Sequence, residues 1–183
     1  MRYRSGREAD VTTILEPAPA FRARAVMPDG EVRELALADF RGRWLVLAFY
    51  PRDFTPVCPT EIRELSKRAR DFADLGAAVV AVSVDDLETH RRWIPEVLGP
   101  VAVPLAADPA RENARAWGAL LEREGVAARA TFVVDPAGVV RHAAFNDLAV
   151  GRSIAETLRV LEALRTGQPS PAEWRPGEPT LRT

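Results

Sequence analysis

The chain has 183 residues, which is enough for one domain with a hydrophobic core and too few for us to expect two. Its 25 basic and 26 acidic residues nearly cancel, so no strong net charge directs the protein to nucleic acid or to a membrane surface. No apolar run approaches the about 18 residues of a membrane span, and the first ten residues lack the apolar stretch of a signal peptide, so we expect a cytoplasmic protein. One cysteine and two distant histidines exclude an internal disulfide and the usual four-ligand zinc site, and we expect no metal and no cofactor.

The first elements follow from hydrophobic periodicity. Residues 1–16 show no clear period, and we expect an arm ahead of a domain spanning 17–166. Two alternating runs, FRARAV and EVRELAL, flank a Pro-Asp-Gly turn and predict a β-hairpin. The continuous apolar run WLVLAFY is typical of a central strand. From about Val57 onward, apolar residues at spacings of three and four predict one helix that ends at Gly76.

The run AAVVAVSV predicts a second buried strand, which completes a strand-helix-strand unit with two parallel strands and a right-handed crossover. Next, either Asp85 or Asp86 can cap a helix that continues to about Leu98. Asp108 is the expected cap of another helix, with Pro109 in its first turn.

The segment ATFVVDPAGVVRHAAF predicts a hairpin around Asp-Pro-Ala-Gly. Ser153 and Glu156 predict a capping box ahead of the last helix, and the segment 167–183, rich in proline and glycine, predicts an extended tail. These elements predict an α/β fold with a mixed central β-sheet flanked by helices on both faces.

The single cysteine, Cys58, has an ordinary and a functional interpretation. A lone cysteine is more often a small buried hydrophobic residue than a reactive one. Cys58, however, follows a strand and opens a helix, where free backbone amides and the helix dipole favour the thiolate. Lowering a thiol pKa from about 8.5 to about 6 raises the thiolate fraction only about thirtyfold. A catalytic Cys58 therefore needs further groups that stabilise charge, such as the Thr55 hydroxyl or an arginine from elsewhere in the chain.

The histidines offer no obvious catalytic base. Cysteine hydrolases pair the thiolate with a histidine, but His90 lies in a predicted helix with arginines and His142 on an outer hairpin strand. We expect both to be exposed or half-buried residues without a catalytic role. A thiolate that needs no proton shuttle suits attack on the weak O–O bond of a peroxide.

The segment FYPRDFTPVCPTEI resembles the active-site signature of peroxiredoxins, Pro-x-x-x-Thr-x-x-Cys, which Pro51, Thr55 and Cys58 match. Further collinear segments between about residues 17 and 180, among them VSVDDLETHRRW and PAEWRPGE, resemble typical 2-Cys peroxiredoxins, including the alkyl hydroperoxide reductase peroxidase subunit of the AhpC/TSA family. The resemblance implies a thioredoxin-like fold and an antioxidant peroxidase that reduces H2O2 and organic hydroperoxides through a sulfenic acid at Cys58.

The resemblance also assigns roles to the other candidate residues. Thr55 matches the threonine that positions the peroxide, Pro51 the proline that shields the pocket, and Arg129 the arginine that keeps the thiolate and polarises the substrate. Glu61 and Arg152 match a supporting charge network. Taken without the resemblance, Arg129 would be a surface charge at the edge of a strand and Glu61 an ordinary acid in the first turn of a helix.

Aromatic residues near these positions have less defined roles. Tyr50 either lines the pocket or belongs to the core, because it ends a buried strand. Trp93, Trp117 and Trp174 are better explained as packing residues than as catalysts.

The sequence departs from typical 2-Cys members where the resolving cysteine belongs, because Ser170 stands at that position, either by natural divergence or as an engineered replacement. Members that resolve within the same helix are excluded too, since position 63 is arginine. We therefore predict a 1-Cys mechanism. The reductant would be an external low-molecular-weight thiol or a glutaredoxin-, mycoredoxin- or thioredoxin-like protein.

The sequence leaves two alternatives to the peroxidase. A peroxiredoxin-like holdase chaperone or peroxide sensor would pass oxidation from Cys58 to a partner's thiol. A thiol-disulfide oxidoreductase is disfavoured because the chain lacks Cys-x-x-Cys. The strand VVRHAAF resembles the edge strand through which family dimers join their sheets. A homodimer is expected, and assembly into a decamer stays open, with Pro56 near the surface that would decide it.

Overall fold

The computed structural model describes residues 12–181, and its centre is a seven-stranded mixed sheet. The strands of this sheet are β1 (Arg22–Val26), β2 (Val32–Ala36), β3 (Trp44–Phe49), β4 (Ala77–Ser83), β5 (Leu105–Ala107), β8 (Arg129–Val134) and β9 (Val140–Asn146). Their order across the sheet is β2-β1-β5-β4-β3-β8-β9. Two short strands, β6 (Leu120–Leu121) and β7 (Val126–Ala127), form a separate antiparallel pair. None of the described helices is long and apolar enough to cross a membrane.

Five α-helices flank the sheet. They are α1 (Cys58–Lys67), α2 (Ala69–Asp74), α3 (Leu87–Trp93), α4 (Glu112–Ala116) and α5 (Ile154–Arg165). A 3-10 turn at Leu37–Phe40 and a π-helical turn at Ile94–Leu98 complete the helical elements of the described chain. The predicted fold class, an α/β fold with a mixed sheet flanked by helices, is confirmed.

Strand pairing follows the predicted turns. β1 and β2 form an antiparallel hairpin, β3 and β4 are parallel, and β8 and β9 form the second hairpin. Alternate residues of β3 point to opposite faces of the sheet, since Leu45 and Leu47 belong to one buried cluster and Val46 and Ala48 to another. β3 is therefore buried on both faces, as its continuous apolar run predicts.

The two clusters form the core on either side of the sheet. Residues of α4 and Trp117 pack on one face. Residues of α1, α3 and α5 pack on the other face, together with Cys58 and Trp93. The three tryptophans that the sequence assigns to packing, Trp93, Trp117 and Trp174, are all buried. Cys58 thus lies at the start of a helix that packs into the core.

Two helix predictions are wrong in their boundaries. The single helix expected up to Gly76 is two helices, because the backbone at Arg68 leaves helical geometry, with φ −95° and ψ 4°. Helix α4 also begins later than predicted. It starts at Glu112 and not directly after Asp108, because Arg111 adopts a left-handed φ of 61°. Asp108 still stabilises the start of this helix, because its carboxylate accepts the backbone N–H groups of Asn113 and Ala114.

The caps of the other helices follow the sequence more closely. Of the two aspartates, Asp86 caps α3 by accepting the backbone N–H of Thr89. Ser153 caps α5 by accepting the N–H of Glu156, but the Glu156 carboxylate pairs with Arg159 in place of closing a capping box.

The chain ends were predicted as an arm and a tail. Residues 1–11 of the arm and 182–183 of the tail lie outside the described residues, so these domain boundaries stay predictions. The described end of the arm is tied to the sheet, because the Leu15 N–H donates to the carbonyl of Val140.

Candidate active site

The loop between β3 and α1 brings Cys58 to the first position of α1, with Pro59 directly after it. Proline suits this first turn because the backbone N–H groups there have no acceptor within the helix, so the absence of the proline N–H breaks no hydrogen bond. Backbone amides at a helix start point along the helix axis and carry partial positive charge. Cys58 is fully buried, with 0% of its surface exposed. Its sulfur is therefore held in a defined place near the end of a helix dipole.

Arg129, the first residue of β8, provides the nearest charge to the sulfur. One terminal nitrogen of its guanidinium lies 3.3 Å from Cys58 Sγ, and the same nitrogen donates to Glu61 Oε2 at 2.8 Å. Its Nε donates to the carbonyl oxygen of Leu148 at 2.9 Å. These bonds fix the plane of the guanidinium, so that its charge faces the thiol.

Glu61 binds Arg129, and Arg152 in turn binds Glu61. Arg152 donates to Glu61 Oε1 through its backbone N at 2.7 Å and its Nε at 2.9 Å, and to Oε2 at 3.0 Å. It also donates to the carbonyl of Ala130. Burial alone would raise the pKa of Glu61, but the bonds and charge of Arg152 and the charge of Arg129 bring it below its ordinary value.

Glu61, Arg129 and Arg152, which we call the Glu61 cluster, combine one buried carboxylate with two guanidinium groups. The cluster therefore carries a net positive charge, and Arg129 is the member that faces the sulfur. A positive charge in a water-poor site strongly stabilises negative charge that develops beside it. The arrangement can stabilise a sulfur anion and the oxygen atoms of a bound substrate.

A cleft of about 540 Å³ opens above this cluster. Its walls include Pro51, Thr55, Val57, Arg129 and Leu148. The structure thus brings the predicted Pro51, Thr55 and Arg129 to one cavity. The Thr55 hydroxyl donates to the carbonyl of Arg52 at 3.0 Å, so its second role as a hydrogen-bond acceptor is free to face a ligand.

Tyr50, which the sequence assigns either to the pocket or to the core, belongs to the core. Its side chain is fully buried, and its ring stacks on Trp93 at a centroid distance of 5.8 Å. Its hydroxyl donates to Asp53 Oδ1 at 2.9 Å. Burial and the neighbouring charge of Asp53 raise the pKa of Tyr50 well above its ordinary value, which keeps the hydroxyl a neutral donor.

The prediction that His90 is exposed or half-buried is wrong. The side chain is fully buried, and its Nδ1 lies 2.7 Å from Asp53 Oδ2. The arginines next to His90 in sequence suggest an exposed helix face, but His90 and Trp93, three residues apart, share the buried face of α3. Sequence reasoning also missed Asp53, whose only signal was its place between Pro51 and Thr55. His142 is half-buried on β9, as expected.

Ser170 lies in the C-terminal segment beside α5. It lines a second cavity of about 510 Å³ together with Arg141 and Arg159. Its Oγ is buried without a hydrogen-bond partner in the described part of the chain. Between residues 12 and 181, no group of three or more His, Cys, Asp or Glu side chains is arranged to hold a metal ion. The role assigned to Ser170, a lost resolving position, stays a prediction.

Comparisons with known proteins agree with the geometry. The model of the AhpC/TSA family matches residues 14–143. Peroxiredoxin-2 of Macaca fascicularis is 46% identical over 178 residues, covering 92% of this chain and 89% of the relative. The mitochondrial thioredoxin-dependent peroxide reductase of Mus musculus is 45% identical over 178 residues, covering 92% of this chain and 69% of the relative.

Solved structures give the same family. The reduced 2-Cys peroxiredoxin of Plasmodium vivax superimposes with a TM-score of 0.87 at 33% identity, covering 93% of this chain and 91% of that one. The resemblance found in the sequence and the thioredoxin-like fold that it implies are thereby confirmed. This chain belongs to the AhpC/TSA family, the family of the peroxiredoxins.

Proposed function

We propose that this peroxiredoxin reduces H2O2 and organic hydroperoxides in a one-cysteine cycle, with Cys58 as its redox-active residue and an external thiol as reductant. The peroxidase class follows from the family; the one-cysteine cycle is our inference. It is carried by one observation: the chain holds a single cysteine, and that cysteine lies buried 3.3 Å from a fixed guanidinium.

In the first step the Cys58 thiolate attacks the terminal oxygen of the hydroperoxide. The S–O bond forms while the O–O bond breaks, and its electron pair leaves with the other oxygen, which takes up a proton as an alcohol or water. The sulfur is oxidised to a sulfenic acid. Arg129 faces the sulfur and supports charge on the oxygens, and Thr55 and Pro51 line the space where the peroxide would lie.

The second half of the cycle needs two thiols from outside the chain. The first attacks the sulfenic sulfur, so that a mixed disulfide forms and water leaves. The second attacks the mixed disulfide, which releases Cys58 as thiol and carries away a disulfide. Ser170 cannot replace either thiol, because a hydroxyl does not condense with a sulfenic acid to a disulfide. A relative named as thioredoxin-dependent supports a redoxin as one candidate reductant, beside a low-molecular-weight thiol.

Because Cys58 is fully buried, the reducing thiol needs access that the described conformation does not give. We propose that the loop 51–57 and the first turn of α1 open after oxidation. Loops and helix ends generally open at lower free energy than core elements, so this is the segment that we expect to move.

Intact mass spectrometry tests the cycle. The reduced protein receives one equivalent of H2O2, with and without a small thiol, beside the Cys58→Ser variant. We expect a rapid gain of one oxygen that is cleared or converted to a thiol adduct when thiol is present, and no gain in Cys58→Ser. A Cys58 that stays unchanged over minutes would refute the peroxidase and favour a holdase or binding role for this fold.

We also propose a homodimer that joins through β9, and a cytoplasmic location. Residues 15–17 pair with Val139 and Val140, but beyond Val140 the outer edge of β9 pairs with no described strand. An open strand edge is a template for pairing with a second copy. Sedimentation velocity of the reduced and oxidised protein would distinguish monomer, dimer and decamer.

A further inference from the structure

A second group of buried polar side chains lies under the active-site loop, and the peroxidase cycle does not use it. We call Tyr50, Asp53 and His90 the Asp53 cluster. The Asp53 carboxylate accepts the Tyr50 hydroxyl on Oδ1 at 2.9 Å, and its Oδ2 lies 2.7 Å from His90 Nδ1. The side chains of both Asp53 and His90 are completely buried. When Asp53 is ionised it can only accept, so the bond between the two side chains then requires the proton of His90 on Nδ1.

Asp53 sits in the middle of the loop that forms the cleft. Pro51 and Thr55, which line the cavity, stand two residues before and two residues after it. The backbone N–H of Asp53 donates to Asp85 Oδ2 at 2.8 Å, so this residue is held through both its side chain and its main chain. Asp53 is therefore the point at which the loop is tied to the body of the fold.

The residue after this anchor is strained. Phe54 has a left-handed φ of 54°, which side-chain-bearing residues seldom adopt without support. Its partly exposed ring packs near Trp93 and under the guanidinium of Arg92. Thr55 therefore follows directly after the strained turn at Phe54. That turn begins at the anchored residue Asp53.

His90 leaves a buried nitrogen without a hydrogen bond to any described residue, which destabilises the fold in a way that a hydrophobic residue would not. Its Nε2 is buried without a hydrogen-bond partner among the described residues, as is Nε1 of Trp93 on the same helix. An unsatisfied buried polar atom is unfavourable, and an apolar residue of similar size would avoid it. The hydrogen bond between His90 Nδ1 and Asp53 is the interaction that a hydrophobic residue at this position could not make.

We propose that His90 and Asp53 are positioning residues for the peroxide step. His90 holds Asp53, and Asp53 holds the loop so that Pro51 and Thr55 face the substrate above Cys58. Neither residue touches the substrate. This inference rests on the proposed peroxidase function and adds the group that keeps its cleft in shape.

Three substitutions of His90 separate this role from ordinary packing. His90→Asn keeps an amide N–H donor close to the position of Nδ1. His90→Gln places its amide near the position of Nε2 instead, and His90→Leu removes both nitrogens while keeping similar bulk. His142→Leu is the matched control, because it removes the other histidine, which lies on β9 outside the cluster.

Each variant is assayed for the rate of Cys58 oxidation by H2O2, the rate of Cys58 alkylation by iodoacetamide, and the denaturation midpoint. Alkylation needs the thiolate and access to it, but not the peroxide-binding geometry. Because misplacement by about 1 Å can cost about 100-fold in rate, we expect His90→Leu to lower the peroxide rate by about 10- to 100-fold. We expect its alkylation rate not to fall by more than about twofold, since the Glu61 cluster is untouched and a looser loop only widens access to the buried thiol.

His90→Asn should restore the peroxide rate to within about threefold of the unmodified protein, as should the control His142→Leu. A folded His90→Leu that reacts with H2O2 at the original rate overturns the proposal. So does an equal loss of peroxide and alkylation rates in His90→Leu, because that indicates general loosening.

If His90→Leu does not fold, the comparison of His90→Asn with His90→Gln decides the matter. The proposal requires His90→Asn to react with H2O2 at least about tenfold faster than His90→Gln does, and equal rates of the two variants contradict it. An unmodified protein that is inert to H2O2 would instead refute the proposed function itself, so the two failures are distinguishable.

Discussion

Two buried carboxylates, Asp53 in the loop 51–57 and Glu61 in α1, have pKa values that shift in opposite directions. Counted as whole residues, backbone included, Glu61 is 3% exposed and Asp53 is 5% exposed. The pKa of Glu61 is lowered, while burial raises the pKa of Asp53, and the bonds from His90 and Tyr50 offset only part of that rise. Similar burial therefore does not give similar chemistry.

The difference comes from the donors. Glu61 accepts four N–H groups, three of them from the guanidinium groups of Arg129 and Arg152. Asp53 has a phenol and an imidazole, and the charge of nearby Asp85 opposes its ionisation. Fixed cationic partners compensate the loss of water around a buried carboxylate, whereas two weaker donors do so incompletely. We infer that the Glu61 cluster supplies charge to the site and the Asp53 cluster supplies shape.

The largest effect on this comparison should come from Arg152→Met, which gives Glu61 an environment as poor in donors as that of Asp53. It removes the guanidinium donors of Arg152 and leaves a buried carboxylate with Arg129 and the backbone N–H of residue 152 as its donors. Because breaking a buried ion pair is strongly unfavourable, we expect a loss of about 3–5 kcal/mol in the free energy of unfolding, measured by urea denaturation.

The control for this measurement is Arg70→Met. Arg70 pairs with Asp74 at 3.8 Å, and the two side chains are 90% and 70% exposed. Exposed pairs of this kind contribute little, so the midpoint should hardly change. Equal midpoints for the two variants would contradict our account of the Glu61 cluster.

The next largest effect should be that of Arg129→Met on the reaction, which tests whether this cluster supplies the charge. Glu61 keeps its bonds from Arg152, so we expect a folded protein. Loss of one fixed charge-stabilising donor typically costs about 100- to 1,000-fold in rate, and we expect a fall of that size in Cys58 oxidation by H2O2, measured by competition kinetics. Arg70→Met serves again as control, and a loss of less than about threefold in Arg129→Met would show that the charge comes from elsewhere.

The smallest effect, and the most direct test of the comparison, is the pH dependence of stability. Glu61 has a pKa below its ordinary 4.5, so its contribution is full above pH 4.5 and is lost as the pH falls through the lowered pKa. Asp53 has a pKa above its ordinary 3.8, so the stability linked to its proton is full below pH 3.8 and is lost as the pH rises through the raised pKa.

Urea denaturation at several pH values, for the unmodified protein beside Glu61→Gln and Asp53→Asn, measures both. The stability advantage of the unmodified protein over Glu61→Gln should grow with rising pH up to 4.5. Its stability relative to Asp53→Asn should instead decline with rising pH from 3.8 upward. Each slope is at most about 1.4 kcal/mol per pH unit for one proton, and two slopes of the same sign would remove the contrast between the clusters.

The local elements of this protein are close to what hydrophobic periodicity predicts. Both hairpins and the parallel β3–β4 pair are present, because alternation, turn residues and buried apolar runs act over a few neighbouring residues. The errors lie at helix boundaries, at Arg68 and before Glu112, where a backbone turn and not the apolar pattern decides. Such turns depend on contacts that the local pattern does not contain.

The candidate site divides in the same way. The sequence spacing alone indicates three residues of the site, Pro51, Thr55 and Cys58, because they lie within one segment of eight residues. Arg129 and Arg152 are 71 and 91 residues from their partners Cys58 and Glu61. The family resemblance indicates both residues, and without it Arg129 would be interpreted as a surface charge at the edge of a strand.

The sequence by itself determined an α/β fold with a single thiol at the start of a helix, because strand and helix periods and the position of Cys58 are local properties of the chain. Only the tertiary structure decided the charge around that thiol. It buried His90 against Asp53 under the loop and placed Arg129 against the sulfur, because side chains far apart in sequence meet only when the sheet is assembled. The energy of a buried charge depends on which partners it meets there, and that cannot be obtained from spacing along the chain.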